Sequence, residues 1–139
     1  SENSEDYIAG FPPHPHRGIE TVTYMLAGDF EHKDSTGGRG RMTAGDVQWM
    51  TAARGIIHEE YHSTEFAKRG GTFEMIQLWI NLPSKFKMTK PRYQSFDEGD
   101  FPILDQGNHE ISIKVIAGIF GTVSSKVKTF SPPKNPKKL

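Results

Sequence analysis

The chain has 139 residues, 35% hydrophobic and 11% aromatic, enough to fill the core of one compact domain. It carries 17 basic residues, 17 acidic residues and no cysteine, which excludes disulfides, thiolate metal sites, iron–sulfur clusters and cysteine nucleophiles. The zero net charge is unevenly spread: residues 126–139 hold five Lys and no acid, leaving 12 basic against 17 acidic residues before them, an unfavourable balance for a nucleic-acid domain. No apolar run nears the roughly 20 residues of a membrane span and no charged-then-apolar signal opens the chain. The expected protein is soluble and cytoplasmic, or nuclear in a eukaryote.

In chain order, residues 1–9 form a polar opening segment. Gly10 begins a stretch that leads to His14-Pro15-His16, with Pro12 and Pro13 stiffening the backbone on one side and Arg17-Gly18 turning it on the other. Apolar and β-branched residues then recur in short runs at Ile19–Leu26, Val47–Ala52, Ile56–Tyr61, Phe73–Leu82 and Ile111–Phe120, which read as strands. Turn signals fall between them at Gly28-Asp29, Gly37-Gly38-Arg39-Gly40, Ala44-Gly45-Asp46 and Arg54-Gly55, the spacing of an antiparallel sandwich or barrel. No segment of helical length shows a clear 3.6-residue period. Pro83–Pro91 reads as a loop, Tyr93–Asp105 as irregular chain with a short helical turn, and the Pro- and Lys-rich sequence from Ser131 as a loose tail. The expected organisation is a polar segment over 1–9, one all-β domain over 10–125 and a Lys/Pro-rich tail over 126–139.

The chemistry concentrates in two short motifs. His14-x-His16 is followed 42 residues later by His58-x-Glu60. Strand side chains alternate with period two, so each pair presents both of its side chains on one face. Three imidazoles and one carboxylate can then converge on a divalent metal such as iron, manganese, nickel, copper or zinc, with two positions of an octahedral ion left open. His62 extends the same alternation and could face the site. His32, between Glu31 and Lys33, and His109, beside Glu110, read as structural or surface histidines. Phe11, Trp49, Met50, Phe73, Met75 and Trp79 are candidate pocket walls, against the plainer reading that they are barrel core.

The strings Gly10-Phe-Pro-Pro-His-Pro-His-Arg-Gly-Ile-Glu-Thr-Val-Thr-Tyr24, Gly45-Asp-Val-Gln-Trp-Met-Thr-Ala-Ala-Arg-Gly-Ile-Ile-His-Glu-Glu60 and Gln77-Leu-Trp-Ile-Asn-Leu-Pro83 resemble the N-terminal domain of the pirin family, in the cupin superfamily. The resemblance spans roughly residues 10–94. It implies an all-β fold, a cupin-like double-stranded β-helix or jelly-roll barrel, holding a metal that is usually iron. Carried over by position, the metal ligands are His14, His16, His58 and Glu60, while Glu20, at the place of a metal-binding Glu in many other cupins, takes a supporting role. Pirins generally have two tandem cupin domains and strands ahead of the Gly-Phe-Pro-Pro segment. Relative to that pattern the barrel is short at its N-terminal edge. Such an edge invites cover from a partner chain or homo-oligomerisation by strand exchange.

Some pirins resemble flavonol (quercetin) 2,3-dioxygenases. The resemblance therefore implies an oxidoreductase acting on a small aromatic substrate, in which Glu60 either stays a metal ligand or swings off to take the substrate's hydroxyl proton. Two alternatives stand beside it: a non-catalytic, iron-dependent module that binds transcription factors, as eukaryotic members of the family do, and a truncated, inactive paralogue.

Overall fold

The computed structural model describes residues 10–105 and 111–130; the opening segment 1–9, His109 and the tail from Ser131 lie outside the described residues. Its elements are β1 (Phe11–His16), β2 (Ile19–Ala27), β3 (Asp29–Asp34), β4 (Arg39–Thr43), β5 (Val47–Thr51), β6 (Ile56–His62), helix α1 (Thr64–Arg69), β7 (Glu74–Asn81), β8 (Arg92–Phe96), β9 (Ile103–Asp105), β10 (Ser112–Lys114), β11 (Ile119–Phe120) and β12 (Val123–Ser124). The backbone divides into two compact units, 1–95 and 96–139. No helix among the described residues is long and apolar enough to cross a membrane.

The first unit is built on two four-stranded sheets, ordered β1-β6-β3-β4 and β7-β2-β5-β8. In the first sheet β6 runs antiparallel to both β1 and β3, and in the second β2 runs antiparallel to both β5 and β7. The all-β cupin architecture expected from the sequence is present. Strands β2, β5, β6 and β7 coincide closely with four of the predicted runs, because their apolar and β-branched residues alternate on a pleated surface.

Four features differ from expectation. The charged segment 29–43 forms a hairpin of β3 and β4 because its inward positions Phe30, His32 and Met42 alternate with solvated charges, a weak signal in a short window. Helix α1 is too short for a periodic pattern; it is started by Ser63, whose Oγ accepts from the Phe66 N–H at 3.1 Å, and anchored by buried Phe66. Within the expected irregular stretch 93–105, β8 joins the second sheet, while a helical turn does occur at Glu98–Asp100. The run Ile111–Phe120 is not one strand. Gly118, at φ 87°, turns the chain there, so β10 pairs with β9 while β11 forms its own hairpin with β12.

The second unit, taken by itself, holds those two hairpins, an ion pair of Lys126 with Asp100 at 2.6 Å, and buried Phe101, Val115 and Val127.

Among the described residues, two apolar clusters lie in the core of the first unit. Met25, Phe30 and Met42 form one, with Phe73 and Met75 against them; Met50, Ala52 and Ile56 form the other, with Ile19 and Tyr93. β6 links the two clusters, since Ile56 belongs to the second and His62 pairs with Phe30 of the first. The inward residues between them are His58 and Glu60, so the chain commits polar side chains to buried positions midway along a core strand.

Strand β1 reaches β6 through a close approach at Gly10. Its φ is 60°, and a Cβ there would meet the carbonyl oxygen of Glu60 at 2.5 Å and the Tyr61 Cα at 2.8 Å, both backbone atoms that cannot swing aside. Gly10→Ala is therefore expected to destabilise the fold by more than about 1 kcal/mol, read as a lowered urea midpoint. An unchanged midpoint would mean that β1 is not held in this register.

Candidate metal centre

The register of β1 on β6 assembles the centre. His14 is the cross-strand partner of His58, and His16 that of Ile56, one step along the same face. A bulge between Phe11 and His14 absorbs Pro12 and Pro13, which offer no N–H to a ladder, and lets Phe11 pair with Glu60. Their ring centroids lie 4.9 Å apart for His14 and His16, 4.4 Å for His14 and His58, and 4.9 Å for His16 and His58. One ring nitrogen from each falls within 4.8 Å of the others. This cluster could hold a metal.

Protonation fits that use. Burial, with the neighbouring His14, lowers the pKa of His16; burial and the other histidines push His58 down to about 3. Both rings are therefore neutral at physiological pH, with lone pairs available. The His14 Nδ1 lies 2.8 Å from the Pro12 carbonyl oxygen, which can only accept, so Nδ1 carries the proton and Nε2 is left as the donor atom. The Nε2 of His16 and both ring nitrogens of His58 are buried without a hydrogen-bond partner. Leaving buried polar atoms unsatisfied costs about 1–3 kcal/mol each, an expense that a metal ligand recovers on binding. The donor set therefore fits a divalent metal.

Glu60 is 5% exposed and is not part of the tight histidine group. Burial raises the pKa of its carboxyl, against smaller opposing effects of His14 and of a hydrogen bond from Gln77 Nε2 to Oε1 at 3.4 Å. It borders, with His14 and His16, a cavity of about 390 Å³ also lined by Phe11, Pro12, Pro13, Met75, Gln77 and Trp79. That volume suits a small aromatic ligand, and the walls are mostly apolar.

Of the six candidate wall residues, Phe11, Met75 and Trp79 line the cavity; Met50 and Phe73 pack in the two core clusters, and Trp49 is buried. Pro12, Pro13 and Gln77 join them on the wall beyond the expected set; Gln77 sits two residues from both Met75 and Trp79 and so shares their face. His62 faces inward but packs among Phe30, Phe66 and Phe73 at 5.8, 5.7 and 4.4 Å, away from the histidine triangle. His32 is buried and not on the surface: its ring lies 4.8 Å from that of Tyr93, and burial lowers its pKa. Glu20, also buried, accepts from Thr51 Oγ1 at 2.7 Å.

Residues 1–80 match the family model described as Pirin. A Pseudomonas aeruginosa protein named "Putative quercetin 2,3-dioxygenase PA2418" is 51% identical over 89% of this chain and 46% of its own length. A crystal structure of quercetin 2,3-dioxygenase from Acinetobacter baumannii superposes with a TM-score of 0.84 at 51% identity, covering 88% of this chain and 43% of that one. The bacterial pirin YhhW of Escherichia coli, in complex with nickel(II), matches with a TM-score of 0.54 at 34% identity over 63% of this chain and 35% of its own. The chain thus spans less than half the length of each of these relatives. With the histidine triangle on two strands of a cupin fold, and the family model matched over more than half of the sequence, this chain belongs to the pirin family.

Proposed function

We infer that the chain is a metal-dependent cupin acting on a small aromatic, flavonol-like substrate as a 2,3-dioxygenase, with His14, His16, His58 and Glu60 holding the metal. The observation that carries this reading is the triangle of His14, His16 and His58, the latter two buried with ring nitrogens that lack a hydrogen-bond partner, with His14 and His16 on the wall of a largely apolar cavity. Iron is the leading metal; manganese, nickel, copper and zinc suit the same donors. When bound, such a metal supplies Lewis acidity and one-electron chemistry.

The protein's own groups divide the remaining work. Phe11 and Trp79 give an aromatic substrate flat apolar surfaces, with the Met75 thioether beside them. Glu60, whose pKa burial raises in the metal-free site, takes the proton of the substrate's acidic hydroxyl when it swings off the metal. The nickel complex of the Escherichia coli relative and the dioxygenase names of the others support this reading.

Aerobic incubation of the iron-loaded protein with quercetin is expected to bleach the flavonol absorbance, with turnover lowered at least about 100-fold in both His14→Ala and Glu60→Gln. Equal rates in the wild type and both variants would remove the catalytic role. A second reading, an iron-dependent module acting on transcription factors, draws on Ile76 and Leu78 of β7, apolar residues 49% and 58% exposed. A fully loaded wild-type protein without turnover would favour it.

A further inference from the structure

Three side chains on the cavity wall form one directed hydrogen-bond chain. The Trp79 indole Nε1–H donates to Gln77 Oε1 at 2.9 Å. Gln77 Nε2 in turn donates to Thr23 Oγ1 at 3.1 Å and to Glu60 Oε1 at 3.4 Å. Thr23 and Gln77 are register partners on β2 and β7, so the amide sits at a fixed cross-strand position.

The direction of this chain follows from donor chemistry. An indole N–H can only donate, so it selects the carbonyl end of the amide. The NH2 end must then face inward, where both of its hydrogens are used, one on a buried hydroxyl and one on a buried carboxylate. Without the indole N–H the amide could turn over and present its carbonyl oxygen to Glu60, an arrangement of two acceptors with no hydrogen between them. The same indole ring stands edge-on to His16 at 5.1 Å, so a single side chain touches both the histidine triangle and the group that orients the carboxylate.

We propose that Gln77 is a positioning residue that aims the Glu60 carboxylate at the histidine triangle, and that the Trp79 indole N–H sets the direction of the Gln77 amide. Gln77 contacts Oε1 and leaves Oε2 without that hydrogen bond, so Oε2 is the oxygen that would be available to a bound metal. Glu60 needs such a fixing contact because it lies outside the tight histidine group. The assignment rests on the reading that the histidines and Glu60 hold a divalent metal.

Nickel(II) affinity, measured by competition with a chromophoric chelator, tests the proposal without requiring turnover. Gln77→Leu is expected to weaken nickel binding about 10- to 100-fold, the usual effect of losing a contact that orients a ligand. Trp79→Phe, which keeps a ring beside His16 and loses only the N–H, is expected to weaken it less, in the same direction. In a Glu60→Gln background neither change should weaken binding further, because both act through the carboxylate. Unchanged affinity in folded Gln77→Leu, or equal losses with and without Glu60, would overturn the proposal. If Gln77→Leu fails to fold, as judged by circular dichroism, Trp79→Phe carries the same test. Failure of the underlying metal reading looks different: the wild type would bind no nickel, or would bind it no better than His58→Ala.

Discussion

Replacing His58 with Leu is expected to abolish the metal response of this protein while leaving its metal-free fold at least as stable. His58 is 2% exposed, and neither ring nitrogen has a hydrogen-bond partner. A buried imidazole in that state is a liability of about 1–3 kcal/mol for each unsatisfied group, and a side chain of similar volume without polar atoms removes it. Imperfect shape complementarity returns up to about 1.5 kcal/mol, so, with even one such group relieved, a net change between roughly zero and +3 kcal/mol is expected by urea unfolding of the metal-free protein. Metal at 100 times its dissociation constant should stabilise the wild type by about 2.7 kcal/mol and do nothing for the variant. A residue that serves the fold would behave in the opposite way. Loss of more than about 2 kcal/mol in metal-free His58→Leu would show that the imidazole supports the strand and not a ligand.

Acid should unfold the metal-free protein through the same residue. His58 titrates near 3 in the folded state, against about 6.5 when exposed, chiefly because burial disfavours its charged form. Below pH 6.5 the unfolded chain therefore binds a proton that the folded chain refuses. Stability contributed by the neutral ring is complete above pH 6.5, is lost progressively as pH falls and levels off near pH 3. At about 1.4 kcal/mol per pH unit the shift corresponds to about 4–5 kcal/mol, an upper bound because the site can relax. His16 and His32, lowered mainly by burial, act in the same direction. The measurement is the urea midpoint of metal-free protein at several pH values between 7 and 4. The wild type should decline steeply and His58→Leu much less; parallel curves would show that the ring is not buried as described. Bound metal should flatten the wild-type curve, since metal and proton compete for the same lone pairs.

Much of the site was legible in the sequence because strand geometry is simple. Period-two spacing is enough to put His14 with His16, and His58 with Glu60, on common faces. The spacing could not supply the bulge at Pro12 and Pro13, which determines that His14 lies opposite His58 while Phe11 lies opposite Glu60. His62 shows the limit of periodicity: it shares the inward face of His58 and Glu60, yet two residues along a strand carry it about 7 Å further, into the aromatic cluster of Phe30, Phe66 and Phe73. The β3–β4 hairpin was obscured because Lys33, Arg39 and Arg41 surround the few apolar positions that face inward. Gln77 was hidden for a different reason. An amide between Met75 and Trp79 carries no signal of its own until folding brings Thr23 and Glu60 to its two hydrogens.

Metal stoichiometry tests the central claim most directly. Protein reconstituted with iron(II) or nickel(II) at neutral pH, freed of excess by gel filtration and measured by inductively coupled plasma mass spectrometry, should hold close to one metal per chain. His14→Ala, His16→Ala and His58→Ala, each folded by circular dichroism, should hold almost none. A folded wild-type protein that retains only a small fraction of an equivalent of any transition metal, or histidine variants that retain as much as the wild type, would contradict the account.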